Sequence, residues 1–323
     1  MLATEQYENP AGYPPKYPLE ETENKPSFVK NLYSIIIYLG IGYLLLRRWD
    51  LLLLIFGVVL LHEAGHLLAM KYYQYADVGI FFLPFIGAFV QGSKKEISQK
   101  QSAVILLAGP LPGILLGIIL SFIDRHGNIY LGAMPLQLAA QMLIWGNLLN
   151  LLPVYPLDGG QLLNRVYFNE EGILSNIYFI ISAIIIIWLS VSTQFYLLLI
   201  IPALFIYKYV ASFNYIKLEK DMAQSGIDLN ISYDQLKDED YWQIRKILIR
   251  HLPVLQQIDP GPPYEYSPKE ERVAQEVDHI LQRNLLMDMP VAGKIILALV
   301  WGVAIALPWL LHIDFLLLKY FMR

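Results

Sequence analysis

The amino-acid sequence predicts an α-helical integral membrane protein with about seven transmembrane helices. Of the 323 residues, 56% are hydrophobic and only 16% are charged, a balance too apolar for an ordinary soluble domain. A helix that crosses a bilayer needs about 20 consecutive apolar residues. Seven stretches approach that length, at 28–46, 51–73, 101–123, 136–152, 173–191, 193–210 and 292–311.

The other segments complete the predicted domain organisation. The polar, proline-rich and acidic residues 1–27 are predicted to form a disordered tail rather than a cleaved targeting peptide. A transmembrane domain covers 28–210, a water-exposed helical segment 211–290, and a C-terminal transmembrane helix 291–323. Lys and Arg are more frequent in the loops on the side of the N-terminus, so the N-terminus and both long insertions, 74–100 and 211–290, are expected in the cytosol.

Composition also limits the chemistry. The net charge of -4 gives no reason to expect nucleic-acid binding. The chain has no cysteine, which excludes disulfides, thiolate catalysis and cysteine-ligated metal. Any bound metal must therefore be held by His, Asp or Glu.

The two insertions have different predicted structures. Aromatic and β-branched residues at 78–91, interrupted by Pro84 and Gly87, predict short strands at the membrane interface, the alternative being a loop packed on the lipid headgroups. In 211–290, one helix is predicted over 233–251 and a second one from a capping Ser267. This segment forms either a small docking surface or a solvated spacer.

The stretch LLHEAGHLLAM, residues 60–70, places three ionisable side chains inside an apolar span. His62 and His66 are four residues apart, so they lie on one helical face and can bind one metal ion together. Glu63 points to the side, where it can reach a metal-bound water without being a ligand. Because ionisable groups inside a bilayer are costly and usually functional, we interpret the motif as a metal site. The alternative is a histidine pair hydrogen-bonded within a helix bundle.

A catalytic zinc ion needs a third protein ligand, and Asp158 in NLLPVYPLDGG is the best candidate. It follows a span that returns to the cytosolic side, where Pro153 and Pro156 prevent a regular helix and two glycines allow a sharp bend. The alternative is a plain turn. The remaining histidines are expected at surfaces or interfaces: His126, His251, His279 and His312.

Together, His62-Glu63-Ala64-Gly65-His66 and the stretch NLLPVYPLDG at 150–159 resemble the site-2 protease family of intramembrane zinc metalloproteases. In that family, HExxH and an NxxPxPxxDG-like element lie on the first and third helices of a three-helix catalytic core. The resemblance covers about residues 50–165, and no PDZ or CBS module is recognisable. It implies one Zn²⁺ per chain, held by His62, His66 and Asp158, with Glu63 as general base and Asn150 positioning substrate or stabilising the oxyanion.

The resemblance also implies partners. Segment 78–91 falls where family members have a membrane-embedded β-hairpin, thought to pair with extended substrate. Ala108-Gly109-Pro110 is similar to an element of the middle core helix, although Gly113 stands where the family often has Asn. The expected partners are transmembrane protein substrates, the lipid bilayer and a regulator at 211–290, in a bacterial cell membrane with the active site toward the cytosol.

Three alternatives stay open at this point. A membrane zincin of the prenyl-protein-processing type would use a downstream Glu, such as Glu170 or Glu171, as its third ligand. A non-proteolytic scaffold derived from a protease would have no need of Glu63. A metal transporter would need an ion pathway, for which two histidines and one buried carboxylate offer few ligands.

Overall fold

The structure is a computed structural model of the chain. It describes residues 13–19, 28–83, 87–94, 97–168, 173–204, 206, 218, 221–222, 224–229, 231–281 and 285–315. The chain divides into two compact units, which we name by composition. The polar unit comprises Met1–Thr22 and Ala203–Asn284, and the apolar unit Glu23–Pro202 and Leu285–Arg323.

Helices dominate the described residues, with short two-stranded sheets between them. In chain order the elements are α1 (Phe28–Leu46), α2 (Trp49–Tyr72), β1 (Ala76–Leu83), β2 (Gly87–Ser93), β3 (Ile97–Ser98), α3 (Gln99–Ala108), α4 (Pro110–Ile123), β4 (Tyr130–Leu131), β5 (Met134–Pro135), α5 (Leu136–Asn150), α6 (Asp158–Leu163), a π-helical turn (Asn164–Phe168), α7 (Ile173–Thr193), a 3₁₀ turn (Tyr196–Leu199), a second 3₁₀ turn (Tyr233–Gln235), α8 (Asp238–His251), α9 (Glu270–Leu281), β6 (Leu285–Leu286) and α10 (Val291–Leu310).

Four helical stretches in the described part of the chain are long and apolar enough to cross a membrane. They are Trp49–Tyr72, Gln99–Ile123, Leu174–Thr193 and Val291–Leu310. The predicted number of seven is not confirmed. The predicted span 136–152 is only the 15-residue α5. The predicted span 193–210 begins where α7 ends, at the left-handed Gln194 (φ 57°), and is described only in part.

The stretch predicted as one span at 101–123 is two helices that meet at Gly109. α4 begins at Pro110 because proline lacks an amide hydrogen but fits the first turn of a helix. α4 then packs closely on α5: a Cβ on Gly117 would lie 2.8 Å from the Ala140 carbonyl oxygen. Ile114 and Ile144 are buried in the shared core. The two helices therefore pack almost backbone to backbone.

The predicted strands at 78–91 are confirmed. β1 and β2 form an antiparallel pair in which Phe81 faces Phe89 and Leu83 faces Gly87. The two phenylalanine rings stack with centroids 5.6 Å apart. Gly87 has φ 119°, a conformation that a side chain would disfavour. The alternative of an irregular loop on the headgroups is wrong for β1 and β2.

The polar unit has its own hydrophobic core. The amphipathic helix α8 buries Trp242, Ile244 and Leu248, and α9 buries Val273 and Val277. Both helices lie within the segments predicted to be helical. A core of this kind is not expected of a solvated spacer, so the unit is a small folded body.

Part of the N-terminal tail belongs to this body. Tyr13, Tyr17 and Leu19 pack against its core, so the predicted disorder is wrong for residues 13–19. Composition indicated that the segment cannot bury apolar surface by itself, but it is ordered here by aromatic residues more than 200 positions away. The rest of the predicted tail lies outside the described residues.

A buried ion pair joins α8 and α9 of the polar unit. The Arg245 and Glu270 side chains are each 1% exposed, and Arg245 Nε lies 2.8 Å from Glu270 Oε1. Glu270 also accepts hydrogen bonds from the Tyr241 hydroxyl and the Ser267 amide. Burial alone would raise the pKa of Glu270, but the hydrogen bonds from Arg245, Tyr241 and Ser267 outweigh it and lower that pKa below its ordinary value.

We predict that the polar unit loses stability in acid. The folded-state pKa of Glu270 lies below its ordinary value of 4.5. The contribution of this carboxylate is therefore complete above about pH 4.5 and is lost as the pH falls through the folded-state value. Glu270→Gln leaves the Arg245 charge buried without an anion, so it should cost on the order of 3 kcal/mol at pH 7.

Hydrogen exchange of α8 and α9 amides in the purified full chain, corrected for intrinsic rates, measures both effects. Glu271→Gln, at the exposed neighbouring position, is the matched control and should retain wild-type protection. Equal protection in Glu270→Gln and Glu271→Gln would contradict the prediction.

Candidate metal centre

Helix α2 supplies three buried ionisable side chains. His62, Glu63 and His66 are 7%, 6% and 8% exposed. The spacing of four residues places both imidazoles on one face, with ring centroids 4.7 Å apart. Among the described residues, none forms a hydrogen bond with the Glu63 carboxylate. The helix therefore carries two neighbouring imidazoles and, beside them, a carboxylate with no hydrogen-bond partner among the described residues.

The segment after α5 brings Asp158 to these imidazoles. Residues 151–157 form successive turns, and Asp158 opens α6. The two following glycines are required by close packing, since a Cβ on Gly159 would lie 2.1 Å from the Leu151 carbonyl oxygen. A Cβ on Gly160 would lie 2.4 Å from the Val154 carbonyl carbon. The DGG sequence thus lets the chain fold back on itself.

The three side chains converge on one point. Asp158 Oδ2 lies 3.0 Å from His62 Nε2 and 3.3 Å from His66 Nε2. The two Nε2 atoms are 3.1 Å apart. Within the described part of the chain, these residues form a group of ligand atoms able to hold a metal ion.

The hydrogen-bond partners of Nδ1 determine which nitrogen of each imidazole carries the proton. His66 Nδ1 is 2.7 Å from the Ile105 carbonyl oxygen, so it must donate. His62 Nδ1 is 2.7 Å from Asn147 Oδ1, and the Asn147 amide is oriented by donation from Nδ2 to the Leu143 carbonyl. In neutral imidazoles, both Nε2 atoms then carry a lone pair directed into the group.

This donor set fits a zinc ion. Two lone pairs and a carboxylate oxygen converge, and Asp158 Oδ2 is buried without a hydrogen-bond donor. Three acceptors this close repel one another unless a cation lies among them. Tetrahedral zinc with bonds of about 2.0–2.1 Å separates its ligands by about 3.3 Å, close to the three observed distances. Two imidazoles and a carboxylate are also ligands that zinc commonly takes.

Two glycines let the α3–α4 junction approach α2. A Cβ on Gly65 would lie 2.0 Å from the Ala108 carbonyl oxygen. A Cβ on Gly109 would lie 2.2 Å from His66 Nε2. Any larger residue at either position would push the junction away from the histidines.

A protein-family model matches the part of the chain that contains the two histidines. Residues 50–125 match the model of peptidase family M50. The resemblance to site-2 proteases is confirmed. The matched region contains the HEAGH motif and ends before Asp158.

Two curated proteins and one solved structure are similar to this chain. A zinc metalloprotease of Methanocaldococcus jannaschii is 29% identical over 167 residues, 49% of this chain and 47% of that protein. Stage IV sporulation protein FB of Bacillus subtilis is 31% identical over 131 residues, 39% of this chain and 43% of that protein. The chain thus spans about half the length of these relatives. The structure of a site-2 protease from M. jannaschii aligns with a TM-score of 0.40 at 23% identity, covering 54% of this chain and 83% of that one.

Not all of the predicted site residues lie together in the structure. It brings His62, His66 and Asp158 together, with Glu63 buried on the same helix. Asn150 lies outside this group, and its side-chain amide donates to the Gly146 carbonyl of its own helix at 3.4 Å. The alternative third ligands Glu170 and Glu171 lie outside the described residues.

Asn147 is a site residue that the sequence motifs did not predict. Its side chain is 1% exposed and bonds to His62, and it occupies the space beside Gly113. A Cβ on Gly113 would lie 2.2 Å from Asn147 Nδ2, which gives a physical reason for glycine at the position where the resemblance expected Asn. The available signal was an amide inside an apolar span, which is costly unless it has a task.

We predict that displacing Asn147 weakens metal binding. Asn147→Leu removes the acceptor that orients His62, and Gly113→Ala pushes the same amide out of place. Loss of a hydrogen bond to a metal-ligating histidine typically costs about 10- to 100-fold in metal affinity. Competition with a chromophoric chelator for zinc measures this affinity in the purified full chain.

Gly146→Ala is the matched control, because its Cβ would meet only Val58 Cγ1 at 3.9 Å. It should bind zinc as the wild type does. If Gly113→Ala and Gly146→Ala had the same affinity as wild type, the positioning role of Asn147 would be refuted.

Proposed function

We propose that the protein is an intramembrane zinc metalloprotease that hydrolyses peptide bonds in or near transmembrane helices of other membrane proteins. The observation that carries this proposal is the convergence of His62, His66 and Asp158 beside the unpartnered carboxylate of Glu63. The match to peptidase family M50 and the apolar helices around the group support it.

In this proposal His62, His66 and Asp158 hold one zinc ion per chain. When bound, zinc lowers the pKa of a water molecule toward about 7 and polarises a carbonyl group. Asn147 and the Ile105 carbonyl keep both imidazoles in the tautomer that presents Nε2 to the site. Their contribution is thus to orient the ligands before substrate arrives.

Glu63 acts as the general base and then as the general acid. Its carboxylate has no hydrogen-bond partner among the described residues, so it can accept a proton from the attacking water. It then passes the proton to the leaving amine as the peptide bond breaks. Asn150 would position substrate or stabilise the developing oxyanion, after its weak contact with Gly146 is released.

The hairpin of β1 and β2 offers a way to hold the substrate. Among the described residues this sheet has two strands, so each strand has one edge that lies outside the ladder. A substrate helix has its amides bonded internally and must unwind before attack. Pairing of the unwound segment with an edge of the hairpin would keep it extended.

We also propose the remaining features of the membrane arrangement. The shorter apolar segments at 28–46, 136–152 and 193–210 would join the four long helices to give seven spans. From the basic loops we infer that the N-terminus, the active site and residues 211–290 face the cytosol, and we propose a bacterial cell membrane as the location. A regulatory partner would then reach the protein at residues 211–290.

We predict that Glu63→Gln abolishes proteolysis and retains zinc. The amide cannot take a proton from water, whereas all three ligands stay in place. Zinc content of the purified variant is measured by mass spectrometry, and substrates are identified as membrane proteins that accumulate uncut in cells carrying it.

Asp158→Asn is the paired variant and should lose both zinc and cleavage, because the neutral amide is a poor zinc ligand. The exposed Glu271→Gln should retain both. Normal cleavage by Glu63→Gln would rule out the general-base role. The scaffold alternative would be favoured if Glu63→Gln kept stoichiometric zinc and no uncut protein accumulated in cells carrying either variant.

We predict further that the substrate helix must unwind. Replacing helix-weakening residues near the cytosolic end of an identified substrate span with Leu should slow cleavage about tenfold or more, since unwinding becomes costlier. Cleavage is followed by gel electrophoresis after reconstitution in liposomes. A matched substitution at the opposite end of the span should have no effect. An unchanged rate for the stiffened cytosolic end would eliminate the unwinding step.

A further inference from the structure

Residues 13–19, YPPKYPL, bind to the polar unit as an extended peptide would bind to a receptor. They contain neither helix nor strand, and we call them the strap. Trp242 Nε1 donates to the Pro14 carbonyl at 2.8 Å, and the Tyr266 hydroxyl donates to the Pro15 carbonyl. The strap is thus held by side-chain donors that reach its backbone.

Two more contacts continue this pattern along the strap. The Tyr233 hydroxyl donates to the Tyr17 carbonyl at 2.7 Å, and the Lys16 amide donates to Asp238 Oδ1 at 2.8 Å. Four consecutive residues of the strap are therefore fixed through their main chain.

Lys16 is the most specific contact. Its Nζ donates to the carbonyl oxygens of Tyr233, Asp234 and Leu236 at 2.7, 2.8 and 2.7 Å. An ammonium group has three hydrogens, and these three carbonyls satisfy all of them. A planar guanidinium has a different donor geometry, so this cup of carbonyls selects lysine.

Aromatic rings form the walls of the groove. Tyr13 packs on Tyr264 with centroids 4.8 Å apart, and Tyr17 meets Tyr266 edge-on at 5.5 Å. Trp242 and Tyr266 stack at 5.9 Å with planes 9° apart. Of these rings, Trp242 is part of the folded core. The buried Arg245 guanidinium, which pairs with Glu270, lies 4.8 Å from the Trp242 ring.

This arrangement is how proteins read proline-rich segments. Proline has no amide hydrogen and favours extended backbone, so such ligands are recognised through their carbonyls by Trp and Tyr donors in an aromatic groove. Pro15 and Pro18 remain exposed, as in a surface ligand and unlike a core strand. The sequence pattern bound by this groove is aromatic-Pro-Pro-Lys-aromatic.

The groove extends beyond the strap. A cavity of about 360 Å³ lies beside Tyr13 and is bounded by Trp242, Lys246 and Arg250 among others. The two basic side chains are exposed, so the cavity suits an acidic group placed before the first aromatic residue of a ligand.

We propose that the polar unit is a recognition site for proline-rich segments of partner proteins that carry an aromatic-Pro-Pro-Lys-aromatic sequence. The chain's own strap occupies the site in cis, and a partner segment displaces it. Because a strap in the same chain competes intramolecularly, partners bind tightly only when the strap is loosened or when they also fill the cavity beside Tyr13.

The test uses a fluorescent peptide with the sequence of residues 11–19 and the full chain in detergent. Lys16→Gln removes the ammonium group and loosens the strap. This variant should bind the peptide at least about tenfold more tightly than the wild type does, as measured by fluorescence anisotropy. Lys269→Gln, an exposed lysine of the same unit that reaches only Gln257 at 3.4 Å, should behave as wild type.

Two further comparisons identify the site. A peptide with Gln in place of its lysine should not bind to the Lys16→Gln chain. Adding Trp242→Phe to that chain keeps a ring but removes the donor to the first proline carbonyl, and should weaken peptide binding about tenfold.

The proposal is overturned if neither the Lys16→Gln chain nor a chain lacking residues 1–19 binds the peptide. It is overturned equally if the lysine-free peptide binds as well as the original. If the shortened chain loses hydrogen-exchange protection in α8 and α9, and the peptide does not restore it, the strap is a part of the core and not an exchangeable ligand.

Discussion

Three metal-ligand atoms that converge in one buried site set the strictest condition in this structure. The Nε2 atoms of His62 and His66 and Oδ2 of Asp158 lie within 3.3 Å of one another in a buried site. When both imidazoles are neutral, the three atoms are all acceptors that repel one another, and Asp158 Oδ2 has no donor among the described residues. The apolar unit must therefore hold them together against that repulsion, or bind a cation that removes it.

Close backbone approach is how the apolar unit holds this group. Gly65 and Gly109 let the α3–α4 junction reach the face of α2 that carries the histidines. Gly113 leaves room for the amide that orients His62, and Gly159 lets the chain turn directly after the aspartate. Each of these glycines loses backbone entropy on folding and offers no side chain to bury. Their shared purpose is geometric, since a single methyl at any of them would move a ligand or its support.

Site residues were predictable from the sequence when the residues they act with lie close to them along the chain. His62, Glu63 and His66 were predictable because helical periodicity alone places them. Asp158 could be named only as a candidate, from its position after a span interrupted by prolines, because a segment distant in sequence brings it to α2. The support of Asn147 for His62 joins residues 85 positions apart, and no local rule identifies such a pair.

The elements of the fold that were predictable from the sequence are likewise those that a local pattern determines. The strands at 78–91 and both polar-unit helices were predictable from local pattern, whereas the number of spans was not. α5 is 15 residues long, and its sequence neighbours after Asn150 are used to build the site instead of extending the helix. The strap was predicted to be disordered, since composition describes only what a segment can bury by itself and not the aromatic groove that receives it.

Glu270 and Asp158, two of the buried carboxylates among the described residues, differ in how their oxygens are satisfied. Glu270 receives Arg245, the Tyr241 hydroxyl and the Ser267 amide, so both its oxygens are satisfied from within the chain. Asp158 is also buried, yet its Oδ2 has no donor among the described residues. Asp124 Oδ2 also lacks a partner, but Asp124 Oδ1 accepts the amides of Asn128 and Ile129, whereas Asp158 Oδ2 faces two imidazole nitrogens. Because an unpaired buried charge is among the costlier features a protein can carry, the arrangement around Asp158 is best explained by a positive ion that the polypeptide does not supply.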